Sequence, residues 1–192
     1  MPPVVRAEQG GEADDPMSVA ISGSDRDHGG MTKTAAVTAN GRNFWAYDVS
    51  ISFLAHEMLA VGREQAPGPW FDQLAPSLTG VAISGGTVGL NLEPVVEAGV
   101  VEPFAVIVCE AGARLRALGT VTEADSEARR TEGHPARWRG DPDMPAAAMA
   151  DLAHAMVELV RGQLPKPPPG TWWFLGLPTG PRTMKMSGST DG

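Results

Sequence analysis

Two histidines are the residues of this chain whose chemistry is most readily put to use. His56 is followed by Glu57, which places a metal ligand beside a general base. The position four residues after His56 is Ala60, however, so the second imidazole that a helical zinc site needs is missing. His154 has Asp151 one turn before it and Glu158 one turn after it. These would form a metal-binding face together with His56 if their two helices packed against each other. Two isolated histidines satisfy too little of a ligand set, so polar positions on solvent-facing helix sides are the simpler reading. Cys109, the one cysteine, lies in an apolar run and is expected to be a small buried hydrophobe of low reactivity. Ser84 lacks the preceding glycine of a nucleophile turn.

Arginines supply a second chemistry. Arg129, Arg130, Arg137 and Arg139 gather around Trp138 in an otherwise acidic chain, and guanidinium forks beside a stacking indole suit a phosphate or an acidic partner. The competing reading is a solvated loop whose arginines pair with Glu123, Asp125 and Glu127. Trp172-Trp173-Phe174-Leu175 is the other binding feature, since clustered aromatics either anchor interfaces or close a core as its last strand.

The stretch Val81 to Glu110 resembles the dinucleotide-binding fingerprint of flavin and NAD enzymes. Val81, Ala82 and Ile83 stand where a parallel strand would end, Gly86 and Gly89 where the second and third glycines belong, and Glu110 where the ribose-binding acid belongs. The resemblance implies a nucleotide or flavin site at the turn from Gly85 to Gly89. Ser84 replaces the first glycine and Pro94 falls inside the helix that should face the pyrophosphate. A β-hairpin over 81–92 explains more of these residues: Val81 and Ile83, then Val88, Leu90 and Leu92, fall on alternate positions, with Gly85 and Gly86 as a two-residue turn. On this reading no cofactor is bound.

Composition sets the outer limits. A chain of 192 residues with 42% apolar content can bury a core, and its formal charge of −8 disfavours general nucleic-acid binding. One cysteine excludes an internal disulfide framework and a thiolate zinc cluster. No apolar run reaches membrane-spanning length and no secretory leader is evident, so a cytoplasmic location is expected. Lys33, Lys166 and Lys185 are the only lysines, which suggests a GC-rich, bacterial genome. Residues 1–31, acidic and poor in large apolar side chains, are expected to be a disordered tail, with Met31 as an alternative start. Residues 185–192 are expected to form a second such tail.

The elements that must position these residues are read from periodicity. Large apolar residues alternate from Trp45 to Phe53, which predicts a strand there and a helix from Leu54 to about Glu64. Trp70 to Leu74 predicts a short helix ending at Pro76. Pro103 to Leu118 reads as a helix closed by Gly119. A further helix, from about Pro145 to Arg161 and capped by Asp143, presents Met149, Leu152, Ala153, Met156, Leu159 and Val160 as an apolar stripe. A stiff Pro-rich connector, Pro165 to Pro169, then delivers an aromatic strand starting at Thr171. The expected fold is a two-layer α+β domain over 32–164, ferredoxin-like with the order βαββα(α)β and a central hairpin at 81–92, followed by the connector and aromatic segment over 165–184.

No complete active site emerges. The expected function is a non-enzymatic protein-interaction module of the inhibitor, immunity or regulatory kind. It would bind another protein through Arg129, Arg130, Arg137, Trp138, Arg139, Trp172 and Trp173, without nucleic acid, membrane, metal or cofactor. The alternatives are a nucleotide or flavin binder using Gly85, Gly86, Gly89 and Glu110, and a metal-dependent enzyme using His56 and His154.

Overall fold

A computed structural model of the chain describes residues 34–85, 89–140 and 142–185. The expected tail at 1–31 lies outside the described residues, as does the expected tail at 185–192 apart from Lys185, which ends a strand. The first described element is a β-hairpin. Strands β1 (Thr34–Ala39) and β2 (Arg42–Tyr47) pair antiparallel, with Ala39 opposite Arg42. Asn40 and Gly41 join them at φ 54° and 62°, the two successive positive values of a type I′ turn. Ala35, Val37, Ala39, Phe44 and Ala46 fill one face of this hairpin and are fully buried.

Helix α1 (Asp48–Gln65) follows with no intervening loop. The strand expected to run through Phe53 therefore ends at Tyr47. The reason is burial: α1 is enclosed on nearly every side, including Val49, Ile51, Phe53, Leu54, Met58 and Leu59. A helix buried on nearly every side, its polar residues included, leaves no exposed polar face to reveal its period.

Helix α2 (Pro69–Ser84) corrects two expectations. It passes through Pro76 and it contains Val81–Ser84, so there is no hairpin at 81–92. An interior proline costs about 3 kcal/mol. Burial of Leu74, Leu78, Val81 and Ala82 on one face offsets this, at roughly 1.5 to 3 kcal/mol for each large side chain. Gly85 ends the helix at φ 68°, its N–H donating to the Val81 carbonyl. Beyond it β3 (Leu90–Asn91) runs parallel to β1, and the short α3 (Glu93–Glu97) carries Pro94 in its first turn.

Helix α4 (Val101–Ala117) matches its expected range, with Gly119 at φ 71° just beyond it. Cys109 lies on its exposed side and not in the core, because Phe104, Ile107, Val108, Ala111 and Leu115 define the buried face. A series of small elements follows. These are β4 (Thr120–Val121), α5 (Glu123–Ala128), β5 (Arg130–Thr131), β6 (His134–Pro135) and β7 (Met144–Pro145). A capping box between Thr122 and Asp125 starts α5. β4 pairs with β7, and β5 with β6.

Helix α6 (Ala147–Val160) buries all six residues of the expected stripe, although Asp143 does not cap it. Strand β8 (Thr171–Leu175) appears where expected, and β9 (Arg182–Lys185), which includes Lys185, was not foreseen. The main sheet has the order β3-β1-β2-β8-β9, with β2 and β8 parallel. The α+β class holds, but the element order is not βαββα(α)β. α6 backs the sheet, and the Asn40 amide of the hairpin turn donates to the carbonyls of Leu159 and Val160 at 2.9 and 2.8 Å. These bonds tie the hairpin turn to the last carbonyls of α6, of which that of Leu159 also accepts from the Gly162 N–H. Among the described residues, no helix is long and apolar enough to cross a membrane.

Candidate docking groove and the arginine strap

The arginine segment does not stand away from the protein. It lies along α1, whose residues Asp48, Ser52 and His56, spaced four apart, form a buried polar row on one side of the helix. At one end, Arg139 Nε and Nη2 lie 2.8 and 2.5 Å from Asp48 Oδ2, with Arg137 Nε at 3.8 Å. One turn on, the Arg137 backbone N–H donates to Ser52 Oγ at 2.8 Å, and that hydroxyl donates to the Ala82 carbonyl at 2.6 Å. At the far end Thr131 Oγ1 meets His56 Nδ1 at 2.8 Å, and Arg129 pairs with Glu57 at 2.8 Å. Trp138 packs edge-on against Phe53, and Arg129 also covers the Phe53 ring. The competing reading of the loop holds for Arg130, which pairs with Glu127, and in part for Arg129, which also reaches Asp125.

Burial sets the electrostatics of this row. Desolvation raises the Asp48 carboxyl above its ordinary pKa despite the opposing pull of Arg139 and Arg137. Desolvation likewise lowers His56 to about 4; the nearby Ala82 carbonyl pulls the other way, while Arg129 and Arg63 add to the drop. His56 Nε2 makes no well-aligned hydrogen bond among the described residues. Serine, histidine and aspartate thus share one helix face without forming a relay. Each polar group is turned toward the strap or toward α2, and Ser52 and His56 make no hydrogen bond to each other.

The two histidines are not brought together. His56 is buried under Thr131, whereas His154 stands out from α6 with its side chain 74% exposed. Among the described residues no group of three or more His, Cys, Asp and Glu side chains is placed to hold a metal ion. The fingerprint residues are also dispersed. Gly85 ends a helix where a phosphate turn would have to begin one, Gly86 lies outside the described residues, and Gly89 precedes β3. Glu110 sits mid-way along α4 and pairs with Arg114.

The aromatic segment does build a concave surface. β8 pairs with β2 at Phe174 and Leu175, and its first half, paired with β9 alone, extends past the end of that ladder. Side chains alternate along a strand, which puts Trp173 and Leu175 on the α6 side and Trp172 on the other, opposite Met184. Trp173 donates from Nε1 to the Pro165 carbonyl at 2.8 Å, so the Pro-rich connector fixes its ring plane. Between Trp173 and α6 lies an open groove of about 520 Å³. Ala155, Leu164, Leu175 and Leu177 form its apolar walls, and Arg116, Asp151, His154 and Glu158 stand along one side. Sequence reasoning found Trp173 but missed this groove; the signal was the polar ridge of α6, where Asp151, His154 and Glu158 share a face. Comparison with protein-family models, curated proteins and solved structures gives no match for this chain.

Proposed function

We propose that the chain is a non-enzymatic protein-interaction module of the inhibitor, immunity or regulatory kind, and that it receives its partner in the groove between α6 and β8. The observation that carries this reading is the half-buried Trp173, held in a fixed orientation on the rim of an apolar groove of about 520 Å³. Interfaces draw most of their binding energy from a few such aromatic anchors in desolvated surroundings. Fixing the ring beforehand lowers the entropy lost on binding. The arginine segment lies outside this docking surface, because Arg139 and Arg129 are engaged within the fold through Asp48 and Glu57.

Site-specific photo-crosslinking in the producing cell tests the proposal. A benzophenone side chain at Pro181, on the groove, should yield one discrete protein adduct. The same group at the exposed Val106 of α4 should not, and Trp173→Ala should abolish the adduct at a temperature where the variant is still folded by circular dichroism. Equal labelling from both positions, or an adduct indifferent to Trp173, would remove the groove as the docking site.

A further inference from the structure

Resting on that docking reading, we infer that the groove accepts an arginine side chain presented by an extended segment of the partner. Three features of the groove point to this chemistry. Its walls are apolar along most of their length, through Ala155, Leu164, Leu175 and Leu177, and so suit the methylene stem of a long side chain. Its fixed aromatic plane, Trp173, suits a flat cation, which stacks on indole more favourably than on other rings.

Its ridge carries the complementary charge. Asp151 is already paired with Arg116 at 3.3 Å. Glu158, whose side chain is only 31% exposed, has near it the His154 imidazole at 3.4 Å, a cation only when protonated. A carboxylate drawn back into an apolar groove and facing a weak partner is suited to a guanidinium fork, which can bond it bidentately. The overall charge of −8 steers a cationic segment toward the molecule. An acidic segment would meet Glu158 and Asp151 unfavourably, and a purely apolar side chain would leave Glu158 without gain.

The test uses the full 15N-labelled chain and three capped tripeptides, glycyl-X-glycine amide with X as arginine, leucine or glutamate. The Trp173 indole N–H signal is assigned by its loss in Trp173→Phe. The arginine peptide should shift that signal saturably, along with the Ala155 amide. The glutamate peptide should leave both in place, and the leucine peptide should bind more weakly than the arginine one. Glu158→Gln, which keeps the size of the side chain, should weaken the arginine peptide about threefold, and raised salt should do the same. Absence of any shift with the arginine peptide, an equal response to the leucine peptide, or indifference to Glu158→Gln would overturn the inference. A crosslinked partner at Pro181 combined with no arginine response would remove this chemistry and leave the docking reading standing. Loss of both results would remove both.

Discussion

His56 shows how much of this protein's pH behaviour rests on one ring. Burial lowers its pKa to about 4 in the folded chain, against 6.5 for a free histidine. Between those values the unfolded state binds more protons than the folded one, so stability is full above pH 6.5 and is lost as the pH falls toward 4. The shift corresponds to a loss on the order of 3 kcal/mol across that window. Asp48 acts in the opposite sense: its raised pKa makes the folded state the stronger proton binder above 3.8, so its contribution weakens as the pH rises. Urea unfolding at pH 7 and pH 4.5 should show a clear loss for the parent chain and a much smaller one for His56→Gln, which still offers an acceptor to Thr131. An unchanged pH dependence in the variant would mean that another group controls it.

At the scale of elements, packing against neighbours decided what periodicity could reveal. α4 and α6 were legible because each has one buried and one exposed side, and the six apolar residues of the α6 stripe are all buried, while β8 was legible from its run of aromatic residues. α1 and the second half of α2 were not. In α1 the residues Val49, Ile51 and Phe53 alternate with Ser50 and Ser52 like a strand, and burial of all five hides the helical period. In α2, Pro76 mimics a helix end and Val81 and Ile83 mimic a strand. The first hairpin was hidden because alanines occupy most of the inward positions of β1, although Asn40-Gly41 is a strong turn signal. The groove was illegible for another reason: sheet pairing alone brings Trp173 beside the ridge of α6. Close helix contacts make this scale testable. A Cβ on Gly112 of α4 would stand 2.8 Å from the Ala153 Cβ of α6, whereas one on Gly80 of α2 would meet nothing within 4 Å. Gly112→Ala should therefore destabilise by about 1 to 3 kcal/mol, and Gly80→Ala should stabilise by about 0.5 to 1 kcal/mol. Denaturant midpoints of opposite sign for the two variants would bear this out, and a neutral Gly112→Ala would mean that α4 and α6 are less tightly packed.

For the whole molecule, the question is whether the arginines serve the fold or a partner. Reversing the charge at Arg137 and Arg139 looks, from sequence, like a probe of partner binding. In the structure it places new carboxylates against Asp48, which has no solvent exposure of its own. Breaking a buried ion pair by removing one partner costs about 3 to 5 kcal/mol, a large part of the 5 to 15 kcal/mol that holds a typical domain folded. Arg139→Glu should accordingly release the strap from α1 and lower the unfolding temperature steeply. Arg130→Glu, whose side chain is 53% exposed and pairs with Glu127, should change stability by less than about 1 kcal/mol. Thermal unfolding of both variants, followed by groove crosslinking under conditions where each remains folded, separates the two roles. An Arg139→Glu chain as stable as its parent but unable to bind its partner would return the arginines to the docking surface and remove the strap from the forces that hold the fold.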